Sequence, residues 1–110
     1  MLDDLDEQCL RMATGFSGGL GDTREELCGA LSGGVMVIGA LFGRARLEED
    51  DQHAIGLADQ YRTRFLREFG FTQCARLRDR VVGAPEGPDS YAALAAKAAW
   101  ILLALLCPVE

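Results

Sequence analysis

"EELCGALSGGVMVIGALFGR", residues 25–44, is the stretch on which the reading of this chain turns. Apolar and small residues fill it without a period of two, so it reads as a helix and not as a strand. It is apolar on nearly every face, and a helix apolar all round is a buried one. Thr23 with Glu26 three residues on has the form of a capping box, which starts the helix there and runs it to about Arg44. Glycine costs roughly 1 kcal/mol relative to alanine inside a helix, so its frequency here needs a reason. Gly29 and Gly33 are four apart, as are Gly39 and Gly43, and each pair opens a groove that another backbone can approach closely.

Other helices flank this one. Leu2, Leu5, Cys9, Met12 and Ala13 recur at helical spacing among acids, which predicts an amphipathic helix over 2–14. Gly15 stops it, and "GFSGGLG" (15–21) is a glycine-rich loop. After the polar "RLEEDD" (46–51), residues 51–69 carry a stripe that includes Leu57, Tyr61, Phe65 and Phe69, ended by Gly70. Thr72 caps a shorter helix in "QCARLRDRVV" (73–82) before the breaker-rich "GAPEGP" (83–88). Asp89 or Ser90 caps the last helix, 91–106, which Pro108 closes. The expectation is an all-α fold, a single domain over 1–110, with about five helices packed around the glycine-rich second one.

The bulk numbers narrow the function. At 110 residues the chain suffices for one core. A net charge of -6 argues against a nucleic-acid surface, which needs a basic face to release counterions. Residues 1–60 hold twelve acids and four arginines, and residues 61–110 hold five acids and seven basic residues, so the halves can pair with each other or with a second copy. No basic segment leads into an apolar core and small-residue cleavage site, which points to the cytoplasm. The run "YAALAAKAAWILLALLCPV" (91–109) is interrupted by Lys97 and diluted by alanine, so a buried helix is expected ahead of a membrane anchor.

Cys9, Cys28, Cys74 and Cys107 include no C-x-x-C pair, and His53 is the one histidine, so zinc-finger and haem-attachment spacings are absent. His53 reads as a surface residue of the third helix. The arginines 62, 64, 67, 76, 78 and 80 read as a solvated helical face, with an anion or partner site as the alternative.

"ATGFSGGLG" (13–21) followed by "CGALSGGVMVIGALFGR" (28–44) resembles the family of small proteins named for a C-GCAxxG-C-C pattern, to which a redox role is ascribed. Cys28, Gly29, Ala30 and Gly33 fit the core motif position by position, and Gly15, Phe16, Gly18, Gly19 and Gly21 fit the family's glycine loop. "FGFTQCARL" (69–77) looks like the third cysteine segment, which assigns Cys74. The resemblance implies a small, mostly helical protein with Cys28 and Cys74 as redox residues. A similar domain in split-Soret-type cytochromes is dimeric and carries haem; a homodimer is therefore expected here, and covalent haem is not. The family's first cysteine lies upstream of the glycine loop, on a helix this chain begins too late to contain. Ser90 stands where its last cysteine opens the C-terminal helix, so two of four cysteines are matched.

A reactive thiol needs a helix N-terminus or a nearby cation. With Thr23 as the cap, Cys28 lies more than one turn inside its helix, opposed by Glu25 and Glu26 and helped by Arg24 on the same face. Cys74 falls in a first turn with Arg67, Arg76, Arg78 and Arg80 about it, and is the better candidate nucleophile. For each the alternative is a small buried apolar residue; Cys9 and Cys107 are read as inert. A Cys28–Cys74 disulfide would close a 46-residue loop, worth roughly 4 kcal/mol in the chain-entropy model. Three functions compete: a thiol redox protein acting on a protein or small thiol partner, a non-catalytic helical dimerisation module, and an iron–sulfur or other metal binder that would need Cys9, Cys107 or a second subunit for ligands.

Overall fold

Residues 24–28 and 72–75 run past each other in opposite directions and exchange backbone hydrogen bonds. The N–H of Cys28 donates to Thr72 C=O, that of Cys74 to Glu26 C=O and that of Ala75 to Arg24 C=O, each at 2.8 Å. Leu27 and Gln73 face one another at the centre of this isolated antiparallel bridge. The computed structural model describes residues 7–83, 87 and 90–107. Around the bridge stand helices α1 (Glu7–Ala13), α2 (Gly29–Phe42), α3 (Gln52–Phe69), α4 (Cys74–Arg80) and α5 (Tyr91–Leu106), with a 3-10 turn at Thr14–Phe16. The all-α class is as the periodicity predicts, and no strand occurs among the described residues. Leu2, Leu5, Asp89 and Pro108, assigned to helix or helix ends above, lie outside the described residues.

Helix α2 begins later than the capping-box pattern predicts. Thr23 caps no helix; its hydroxyl turns back to the Gly19 and Leu20 carbonyls at 3.0 and 2.9 Å. Cys28, extended at φ -56° and ψ 138°, is the N-cap. The physical reason is the bridge: residues paired to 72–75 cannot also turn helically, and three long-range hydrogen bonds outweigh a local propensity. Helix α4 starts one residue later than expected, with Gln73 in place of Thr72 as N-cap, because Gln73 belongs to the same bridge.

Helices α2, α3 and α5 pack on one another around Leu31, Ile38, Tyr61, Phe65, Leu94 and Ala98, with Leu77 of α4 closing the end. Tyr61, Phe65 and Phe69 are spaced four apart, so their rings line one face of α3; Phe65 and Phe69 stand 4.6 Å apart between centroids. Gly70, at φ 82°, ends α3 in the left-handed conformation glycine adopts without penalty. Ser90 opens α5, its hydroxyl accepting from Ala93 N–H at 3.1 Å.

Two expectations for α2 are corrected. It is buried on one side only: Leu31, Ser32, Gly34 and Ile38 are inside, while Val35 and Phe42 are each 38% exposed. Nor do the spaced glycines mark the close contact. A Cβ at Gly33 or Gly39 would meet nothing within 4 Å, one at Gly29 only the Phe16 carbonyl at 4.0 Å, and one at Gly43 only the Gly39 backbone of its own helix rather than another element. The tight position is Gly34, where a Cβ would stand 2.3 Å from the Tyr61 ring. That ring is pinned, since its hydroxyl donates to Ala30 C=O at 2.9 Å. Gly34→Ala is therefore expected to cost about 1–3 kcal/mol in urea unfolding through overpacking, whereas Gly33→Ala gains up to about 1 kcal/mol from helix propensity.

Candidate functional site

The bridge places the two motif cysteines. Successive residues of an extended segment point to alternate sides. Cys28 and Cys74 each lie one residue beyond the Leu27–Gln73 pair, so both face the same side, diagonal to one another. Diagonal neighbours stand about 7–8 Å apart, at the edge of the roughly 7 Å between Cα atoms that a disulfide spans. Both thiols are free and buried, at 8% and 7% exposure.

The glycine loop covers them. Gly18, Gly19 and Gly21 all have positive φ, and so do Leu20, Asp22 and Arg24 between and after them. Gly19 is indispensable to this path: at φ +72°, its Cβ would stand 2.7 Å from Cys74 Cβ and 2.8 Å from Arg24 Cα. Of the remaining motif residues, Gly15 and Phe16 enter the loop, the Gly15 and Phe16 carbonyls accepting from Gly21 and Leu20 N–H. Gly29 and Ala30 form the wall next to Cys28, and Gly33 faces away into open space.

The cations are arranged otherwise than the sequence suggests. Arg76 lies over the Phe71 ring at 5.9 Å and Arg78 pairs with Asp79 at 3.1 Å, and neither lines the cavity at the thiols. Arg24, set by the bridge and not by a helix, lines the thiol cavity instead. This cavity of about 300 Å³ is bounded by Cys28, Cys74, Arg24 and the glycine loop, and by Tyr91 and Leu94 of α5. The α5 wall was not foreseen, because nothing in sequence signals which residues of a capped helix will meet a loop seventy positions earlier.

Burial pushes the Cys28 thiol above its ordinary value. The Ala30 and Leu31 backbone N–H groups pull the other way, and Cys74 adds to the rise. Burial also pushes Tyr61 up to about 12, with Cys28 as a lesser cause. Cys9 is exposed and lines a separate apolar groove with Leu10, Met12, Met36 and Val37. Cys107, also exposed, ends α5. His53 is exposed and packs edge-on to Phe42 at 4.6 Å between centroids. Among the described residues no group of three or more His, Cys, Asp or Glu side chains is placed to hold a metal ion, so two thiols here would be half of a four-thiolate set. No helix among them is long and apolar enough to cross a membrane.

The sign of the pH effect follows from these shifts. The folded chain keeps the Cys28 and Tyr61 protons at pH values where the unfolded chain has released them, so their stability contribution is full below the unfolded values and falls above them. The urea midpoint is expected to fall from pH 8 to 10.5, and to fall less in Cys28→Ala.

Nothing among the curated proteins or the solved structures matches the chain. A family model described as "Putative redox-active protein (C_GCAxxG_C_C)" matches residues 2–105. With nearly the whole length matched and the motif cysteines side by side on one bridge, the chain belongs to the C-GCAxxG-C-C family.

Proposed function

We propose that this chain is a thiol–disulfide exchange or redox-sensing protein acting through Cys28 and Cys74. One observation carries the reading: two free, buried thiols lie on the same side of one backbone bridge and open on one cavity. The family description supports a redox role in general terms. In this reading Cys74 attacks first and Cys28, pushed above its ordinary value by burial, resolves; the thiolate is the nucleophile. The Cys74 sulfur attacks a partner disulfide, one partner thiolate leaves, and a mixed disulfide forms. Cys28 then attacks the Cys74 sulfur and expels the second partner thiolate, which takes up a proton. The pair has lost two electrons and two protons, and the partner disulfide has become two thiols. Iron–sulfur or other metal binding would need further donors beside this pair, from Cys9, Cys107 or a second subunit, and a redox protein partner or a cytoplasmic setting is consistent with free thiols.

A dimerisation role is the second reading, favoured by exposed apolar side chains. Leu10 and Met12 of α1 are 62% and 72% exposed, and Trp100 of α5 is 73% exposed. A homodimer would cover such surface.

Mild oxidation followed by alkylation and peptide mass spectrometry separates the two. The expected result is a linked Cys28–Cys74 peptide in the oxidised protein, lost in Cys28→Ala and in Cys74→Ala, with an unfolding free energy higher by up to about 4 kcal/mol in the oxidised wild type. Recovery of both cysteines alkylated, with no linked peptide, leaves only the dimerisation reading.

A further inference from the structure

The cavity restricts what can reach the thiol pair. Cys28 and Cys74 are each more than nine-tenths buried, and a volume of about 300 Å³ leads to both. That is the share of roughly ten water molecules and the small end of the range for small-molecule sites. A partner must bring its disulfide to sulfurs that are themselves almost fully covered, which favours a small one. The cavity lining is selective as well. Among the described residues Arg24 is the one charged side chain on it, the others being glycine, alanine, leucine and Tyr91 besides the thiols, and no described carboxylate lines it. Arg24 does pair with Asp22 at 3.5 Å, but Asp22 is 74% exposed, and such surface pairs hold weakly. Arg24 is fixed at the backbone: its N–H donates to Gly18 C=O and its C=O accepts from Ala75, each at 2.8 Å.

We infer that the direct exchange partner of this pair is a small acidic disulfide, bound with a carboxylate against Arg24. This rests on the redox reading of Cys28 and Cys74. The exchange balances as one disulfide plus two protein thiols giving the Cys28–Cys74 disulfide and two small acidic thiols.

Three reagents of similar size test it: dithiodiglycolate (anionic), 2-hydroxyethyl disulfide (neutral) and cystamine (cationic). Formation of the linked Cys28–Cys74 peptide is timed at low salt for each, and each rate is divided by its rate with the urea-unfolded chain to remove intrinsic reactivity. The expected result is a normalised anionic-to-cationic ratio of about ten, falling towards one in Arg24→Gln and restored in Arg24→Lys. Equal normalised rates in the wild type, or a ratio that survives Arg24→Gln, overturns the acidic-ligand inference and leaves the redox pair standing. Faster linkage with a disulfide-bonded protein than with dithiodiglycolate also overturns it. No linked peptide with any reagent removes the redox pair and this inference together.

Discussion

The short antiparallel contact between residues 24–28 and 72–75 is the constraint on which the rest depends. It fixes where α2 and α4 begin, and so decides that Cys28 is an N-cap and Cys74 a first helical residue. Each of its backbone hydrogen bonds joins segments nearly fifty residues apart, which makes it a cross-link as well as a turn. Gln73 reinforces it, its side-chain amide donating to Glu25 C=O at 2.8 Å. Losing it would leave partly buried N–H and C=O groups unpaired, a cost folded proteins seldom carry.

Glycine serves this arrangement in separate ways. Gly19 lets the loop lie against the Cys74 side chain in a conformation that a larger residue would enter with strain. Gly34 lets α2 approach the Tyr61 ring, and Tyr61 then holds the first turn of α2 through Ala30. The loop glycine positions the chemistry and the helix glycine positions the scaffold. A Cβ at Gly33 or Gly39 would meet nothing within 4 Å, and Gly33 lines the apolar groove between α1 and α2.

How much of this was legible in the sequence follows from the range of each interaction. Helix α3 is a local structure with a strong stripe and a glycine C-cap, and α5 has a serine N-cap, so Tyr61, Phe65, Gly70 and Ser90 announce them. The start of α2 was misread because Thr23 and Glu26 carry a genuine local signal that a long-range one overrides. A bridge of one residue pair is too short to show a period of two, so nothing in residues 24–28 or 72–75 betrays it. The cysteines were found through the motif, but their common face and the role of Arg24 depend on the bridge and were hidden with it. The small-residue spacing misled for another reason: it reports which residues permit close approach, and only the partner element, here Tyr61, decides where approach occurs.

The site joins two opposing influences on the same sulfur. At the start of α2 the Ala30 and Leu31 N–H groups favour a thiolate at Cys28, while burial disfavours it, and burial is the larger effect. A thiol so placed is slow to attack an external disulfide, yet it needs only to meet a neighbouring sulfur once a mixed disulfide has formed. In thiol–disulfide exchange the second step is intramolecular, so positioning replaces a low pKa as the source of rate. Burial of Cys28 thus fits a resolving role, and a shared side of a rigid bridge supplies the positioning that role demands.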